Sequence, residues 1–239
     1  MSSNDESSET PRWLIYLLIL GGINLLSWMF DWPFWIYWSM FKREVYFNIL
    51  LGISIIYWGI MGLSHYAFAE LTLVRIGSSV LNISVGTLIV FRKPAKKNGS
   101  LGSFVISLPS FIIGGMLFKM AQPFDSWELP LKAIFLIGIA SALISSFALG
   151  KNFSILPSIR EISKRGPYQV VRHPIYFSEL LLAVCCVIGN FNIITITLLL
   201  LFITFLYYRI LQEEKLLENT SEYKRYQEAV KWKLIPRIW

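Results

Sequence analysis

The residues of this chain best suited to chemistry gather near its C-terminal end. One group is the run Arg165-Gly166-Pro167-Tyr168-Gln169-Val170-Val171-Arg172-His173-Pro174-Ile175-Tyr176. The other is Arg209-Ile210-Leu211-Gln212-Glu213-Glu214, separated from the first by an apolar segment. Gly166-Pro167 reads as a turn, with Pro setting φ and Gly permitting unusual backbone. Pro174 suits the first turn of a helix, where its missing N–H costs nothing. Arg172 and His173 therefore arrive at a helix N-terminus, whose free N–H groups attract anions. Arg172 adds a planar fork matched to a carboxylate or phosphate. Glu213 and Glu214 are neighbours and diverge by about 100° on a helix, so they cannot share one proton. They can accept bonds from a ligand ammonium group and from ribose hydroxyls.

Each group also has a plainer reading. A basic loop beside an apolar segment can anchor to lipid headgroups. Arg209 and Glu213 are four apart and can pair on one exposed helix face, for a few tenths of a kcal/mol. Tyr223, Tyr226 and Trp232 can be interfacial anchors or ligand contacts. His65 and His173 are the only histidines and lie far apart in the sequence. Cys185 and Cys186 are the only cysteines, and adjacent helical residues point to different faces. Neither a metal site nor a structural disulfide is expected from that set.

The elements that must position these groups are apolar. Of 239 residues, 55% are hydrophobic and only 15% charged, where a soluble domain has about a quarter. Runs of about 18 or more apolar residues read as membrane helices, whose backbone groups are satisfied internally. The expected fold is all-α, a polytopic membrane protein of about seven spans near 12–30, 45–64, 69–91, 101–121, 129–149, 174–190 and 193–211. The third carries Glu70 and Arg75. They read either as interfacial and snorkelling residues or as a polar pair at depth. The basic, Pro- and Gly-containing stretch 92–99 reads as a break. It separates a scaffold at 1–100 from a catalytic region at 101–239, within one membrane domain. Met1–Thr10, polar and acidic, reads as a disordered tail without a signal peptide or lipidation pattern.

Charge placement sets an orientation. The segments 42–43, 92–97, 151–172 and 209–239 hold 18 of the 22 Lys and Arg. The positive-inside rule puts them in the cytoplasm, with the N-terminus outside and the C-terminus inside. The net charge of +7 then reflects topology and anionic headgroups, and nucleic acid is not an expected partner.

The pattern Gly166-Pro167-Tyr168, Arg172-His173-Pro174, Tyr176, Arg209-Ile210 and Glu213-Glu214 resembles the isoprenylcysteine carboxyl methyltransferase family. Gly150-Lys151-Asn152-Phe153-Ser154, Glu222-Tyr223-Lys224-Arg225-Tyr226 and Leu234-Ile235-Pro236 resemble it too, so the likeness runs over about 129–239. It implies an integral membrane methyltransferase using S-adenosyl-L-methionine. In that family the loop, the last helical hairpin and the tail enclose the cofactor on the cytoplasmic side. A lipophilic, isoprenoid-like acceptor enters from the bilayer. Carried over, Tyr168, Arg172, His173, Pro174, Tyr176, Glu213, Glu214 and Tyr226 line the cofactor site. Arg209 holds an acceptor carboxylate, and Glu213 joins it as a catalytic candidate. Ser178 departs from the family, which often has Gly there. Phospholipid methyltransferases and sterol reductases have similar ends. The alternatives are therefore an N-methyltransferase, an NAD(P)H-dependent reductase or a non-catalytic scaffold. A carboxylate is already ionised near pH 7, so its methylation needs alignment and exclusion of water, not a base. An alcohol or amine acceptor would call for one, with Glu213, Glu214 or a Tyr as candidates.

Overall fold

The structure, a computed structural model, describes residues 44–64, 72–93, 97–98, 101–121, 123–153, 158–159 and 161–239. The span expected at 12–30, the tail Met1–Thr10, His65 and Glu70 lie outside them. Two compact units divide the chain, Met1–Phe47 and Asn48–Trp239, and the candidate site belongs to the second.

The described residues form α1 (Glu44–Ser64), α2 (Leu73–Val90), α3 (Leu101–Met120), α4 (Leu129–Leu149), α5 (Pro174–Gly189), α6 (Ile193–Leu217) and α7 (Ser221–Ala229). The all-α expectation holds. The only strands among them are two residues each, β1 (Lys97–Asn98) and β2 (Ser158–Ile159), paired antiparallel. The basic stretch carries a backbone tie at Lys97–Asn98 to the segment that leads into the signature run, and Lys93 N–H adds a bond to the Lys151 carbonyl at 2.8 Å.

Among the described residues, three helical segments are long and apolar enough to cross a membrane: Leu73–Val90, Leu129–Asn152 and Ile193–Leu217. Asn48–Ser64, Pro109–Met120 and Pro174–Gly189 are shorter apolar helices. Their outward faces agree with a lipid surrounding. Ile134, Ile137, Ile144 and Phe147 on α4, and Ile194, Leu200, Leu201 and Ile203 on α6, are all exposed. Soluble monomers rarely present contiguous apolar faces of that extent.

Inside, α3 packs along α6, α4 along α5, and α2 along α4. Phe118, Phe124, Trp127 and Phe135 form an aromatic cluster at one end of this core. Between α1 and α2 the contact is made by small residues. A Cβ on Gly52 would lie 2.7 Å from the Gly86 carbonyl oxygen, and one on Gly86 2.7 Å from that of Gly52. Without a hydrophobic drive between helices in lipid, such close backbone approach is what gains packing energy.

The hairpin α5–α6 matters most for the site. Its turn is locked by Asn192, whose side chain caps α6 at Ile194 and Thr195, while the Thr195 hydroxyl accepts from Asn192 N–H. This is a capping box, which satisfies orphan donors at both positions. Antiparallel helices on a short loop run level with one another at equal counts from it. Equal counts either side of Phe191 therefore set His173 level with Arg209. The start of α5 and the last turns of α6 share one end of the bundle. Helix α6 also runs on past the apolar stretch expected to end at 211, so Glu213 and Glu214 remain helical.

Candidate functional site

His173 is the N-cap of α5 and Pro174 its first residue, as the sequence implies. Gly166 has φ of +56°, a conformation open to Gly at no steric cost. It starts the short 3-10 turn Gly166–Gln169 that buries Tyr168. The stretch 230–239 then folds back over the loop. Arg172 N–H donates to the Trp232 carbonyl at 2.9 Å and His173 N–H to that of Lys233 at 2.8 Å.

The two adjacent glutamates do different things. Glu214 is buried and surrounded by donors. Arg172 donates to it through Nε at 2.8 Å and Nη2 at 3.2 Å. His173 Nε2 approaches at 3.1 Å, Tyr223 Oη at 3.1 Å and Lys233 Nζ at 3.2 Å. An ionised carboxylate only accepts, so the imidazole proton sits on Nε2. The remaining Arg172 nitrogen, Nη1, donates to the Val230 and Lys231 carbonyls. The anion held by the Arg172 fork is thus the protein's own Glu214. Glu213, about 100° around the helix, faces the other way and accepts from Tyr176 Oη at 2.6 Å. Among the described residues its second oxygen takes no hydrogen bond. His173 and Tyr176 stack with centroids 5.4 Å apart, which fixes both rings.

Arg209 does not sit on an exposed turn. It is buried between two rings, with its guanidinium carbon 4.1 Å from the Phe111 centroid and 4.4 Å from that of Tyr176. Its ion pair runs across to α5, Nη1 to Glu179 Oε2 at 3.1 Å. The expected i,i+4 partner, Glu213, turns to Tyr176.

These groups close one end of a cavity of about 330 Å³. Tyr168, Arg172, His173, Tyr176, Glu213 and Tyr226 line it, as do Arg209 and Glu179. Ile55, Leu81, Val85 and Leu182 make its apolar wall. Pro174 and Glu214 are absent from the lining: Pro174 starts the helix, and Glu214 stands behind Arg172 and His173. Ser178 also points elsewhere, donating to Ser141 Oγ of α4 at 2.9 Å. Tyr223 and Tyr226 are buried against Val230, Ile162 and Leu217, not spread on a membrane interface. Tyr226 Oη donates to the Tyr168 carbonyl at 2.6 Å. Burial, with the Glu213 charge behind it, pushes Tyr168 well above the ordinary phenol range. Burial and the Glu214 charge do the same for Tyr223. Both remain hydrogen-bond donors across the working pH range.

Glu179 was not among the residues singled out from the sequence. The signal was present: it is the one charged residue in the apolar stretch 174–190, and ionisable groups at depth tend to be functional. Among the described residues no group of three His, Cys, Asp or Glu could hold a metal ion.

With this geometry in view, one family model matches part of the chain. Residues 131–219 match the isoprenylcysteine carboxyl methyltransferase (ICMT) family. The resemblance read from the signature residues is the one found. The matched segment contains α5, α6 and every charged residue of the cavity end, from Arg172 to Glu213. It stops before α7 and the stretch 230–239, which carry Tyr223, Tyr226 and Lys233. No curated protein matches the chain. The apolar helices and the ICMT match together support an integral membrane protein of methyltransferase type.

Proposed function

We propose that this chain is an S-adenosylmethionine-dependent membrane methyltransferase acting on a lipophilic acceptor, with a carboxylate of isoprenylcysteine type as the acceptor group. The observation that carries the reading is one cavity lined by both charged and apolar side chains. A polar end lies between the start of α5, the end of α6 and α7, and an apolar wall runs between the helices.

The residues suit such a cofactor. Among the described residues one Glu213 carboxylate oxygen has no protein donor, which fits an ammonium group or sugar hydroxyl. The ring of Tyr168, which lines the cavity, offers a π-face to a cation. When bound, the cofactor supplies an electrophilic methyl carbon on a sulfonium. The chain's own part is positioning. Glu214 holds Arg172 and His173, the Trp232 and Lys233 carbonyls fix their backbone, and Tyr226 fixes Tyr168. The apolar wall excludes water and seats the acceptor's hydrocarbon. A carboxylate acceptor brings its own nucleophilic oxygen, so alignment is the main requirement. Arg209, held flat between Phe111 and Tyr176, is the group proposed to meet it. The concentration of Lys and Arg near this end supports a cytoplasmic site.

Isothermal titration of the detergent-solubilised protein tests the cofactor directly. S-adenosylhomocysteine should bind and NADPH should show no measurable heat of binding. The reverse preference would replace the methyltransferase reading with a reductase of sterol type. Silence toward both would favour a scaffold.

A further inference from the structure

Arg209 lines the cavity, yet the cavity hardly sees it. Its side chain is 2% exposed, whereas that of its partner Glu179 is 28% exposed. Phe111 and Tyr176 cover the two faces of the guanidinium at 4.1 and 4.4 Å. A carboxylate can reach a guanidinium sandwiched in this way only in its plane, at an N–H edge. Glu179 also lines the cavity, and its Oε2 takes one such N–H, 3.1 Å from Nη1. The carboxylate of Glu179 thus already holds an N–H edge that an acceptor carboxylate would use.

We propose that Glu179 is a specificity-determining residue, an internal carboxylate that competes with the acceptor for Arg209. The inference rests on the methyltransferase reading above. The charge balance makes the competition severe. Glu214 is neutralised separately by Arg172 and Lys233. Glu179 and Glu213 remain at the cavity end, where Arg209 is the cation paired with Glu179. A carboxylate acceptor arriving beside an unmoved Glu179 would add a further acid there, and like charges at contact distance disfavour one another. It must therefore displace Glu179 from Arg209. A neutral acceptor group need not. As built, the site discounts an anionic head relative to a neutral one of the same shape, and a change at position 179 tunes that discount.

The test compares two probes differing only in this group, N-acetyl-S-farnesylcysteine and its primary amide. Both are titrated into the full-length protein in detergent with S-adenosylhomocysteine present, and binding is read by calorimetry. In the wild-type protein the acid should bind no more than about threefold better than the amide. In Glu179→Gln the vacated edge should favour the acid by about tenfold or more, the usual value of a charge-assisted bond. Glu179→Asp keeps the charge on a stem one methylene shorter, guards against a folding defect in the Gln variant, and should give an intermediate ratio. S-adenosylhomocysteine binding by each variant certifies its fold. A wild-type protein that already prefers the acid tenfold overturns the proposal, as does an acid-to-amide ratio unchanged in both variants. In either result, intact S-adenosylhomocysteine binding leaves the cofactor reading standing. A wild-type protein that binds no S-adenosylhomocysteine overturns both.

Discussion

Glu213 and Glu214 are chemically identical neighbours, and the structure gives them opposite responses to the same substitution. In Glu214→Gln the carboxylate loses its charge and gains an amide NH₂. Five donor contacts converge on it: two from Arg172 and one each from His173, Tyr223 and Lys233. Gln keeps one acceptor oxygen, so its NH₂ must face a donor. Arg172, with 7% of its side chain exposed, is left a buried cation without its counter-ion. Removing one partner of a buried pair costs about 3–5 kcal/mol. At about 2–4 °C per kcal/mol for a chain of this size, the melting temperature should fall by about 6–20 °C. Glu213→Gln puts at most one bond at risk, from Tyr176, at a side chain 26% exposed. It should cost about 1 kcal/mol or less in stability. Its S-adenosylhomocysteine affinity should nonetheless drop about tenfold or more, because the altered oxygen faces the cavity. Unfolding can be followed with a thiol-reactive fluorophore, since Cys185 and Cys186 are both buried in the folded bundle. A Glu214→Gln protein melting within about 2 °C of wild type would refute the reasoning. So would a Glu213→Gln protein that is the less stable of the two.

Two further outcomes are expected. Arg209→Lys keeps the charge but loses the planar fork and its stacking between Phe111 and Tyr176. S-adenosylhomocysteine affinity should stay within about threefold of wild type while methyl transfer to the acid probe falls about tenfold or more. Unchanged turnover would make Arg209 a structural counter-ion of Glu179. Reporters fused before Met1 and after Trp239 should locate the first outside and the second in the cytoplasm, following the distribution of Lys and Arg. Both ends on one side would mean an even number of spans.

The sequence by itself was enough for the all-α class and the apolar helices, because long uninterrupted apolar runs leave the backbone few other ways to satisfy its hydrogen bonds. It was enough for the start of α5, because Pro174 and the turn at Gly166 are local backbone constraints. The signature residues were legible as a group, and the family match over 131–219 agrees with them. Their division of labour was not legible. Nothing in the pair Glu213-Glu214 says which of them meets Arg172 and Lys233 and which meets Tyr176, since those partners come from α5 and from the stretch 230–239. Arg209 and Glu213 have the spacing of a helical pair, and only the packing of α5 against α6 turned Arg209 to Glu179. Tyr223 and Tyr226 have the look of interfacial anchors, and only the fold of α7 back onto Tyr168 buried them. Helix spacing is a local rule, readable from one segment. Which charges neutralise one another depends on distances between segments, and those exist only once the chain has packed.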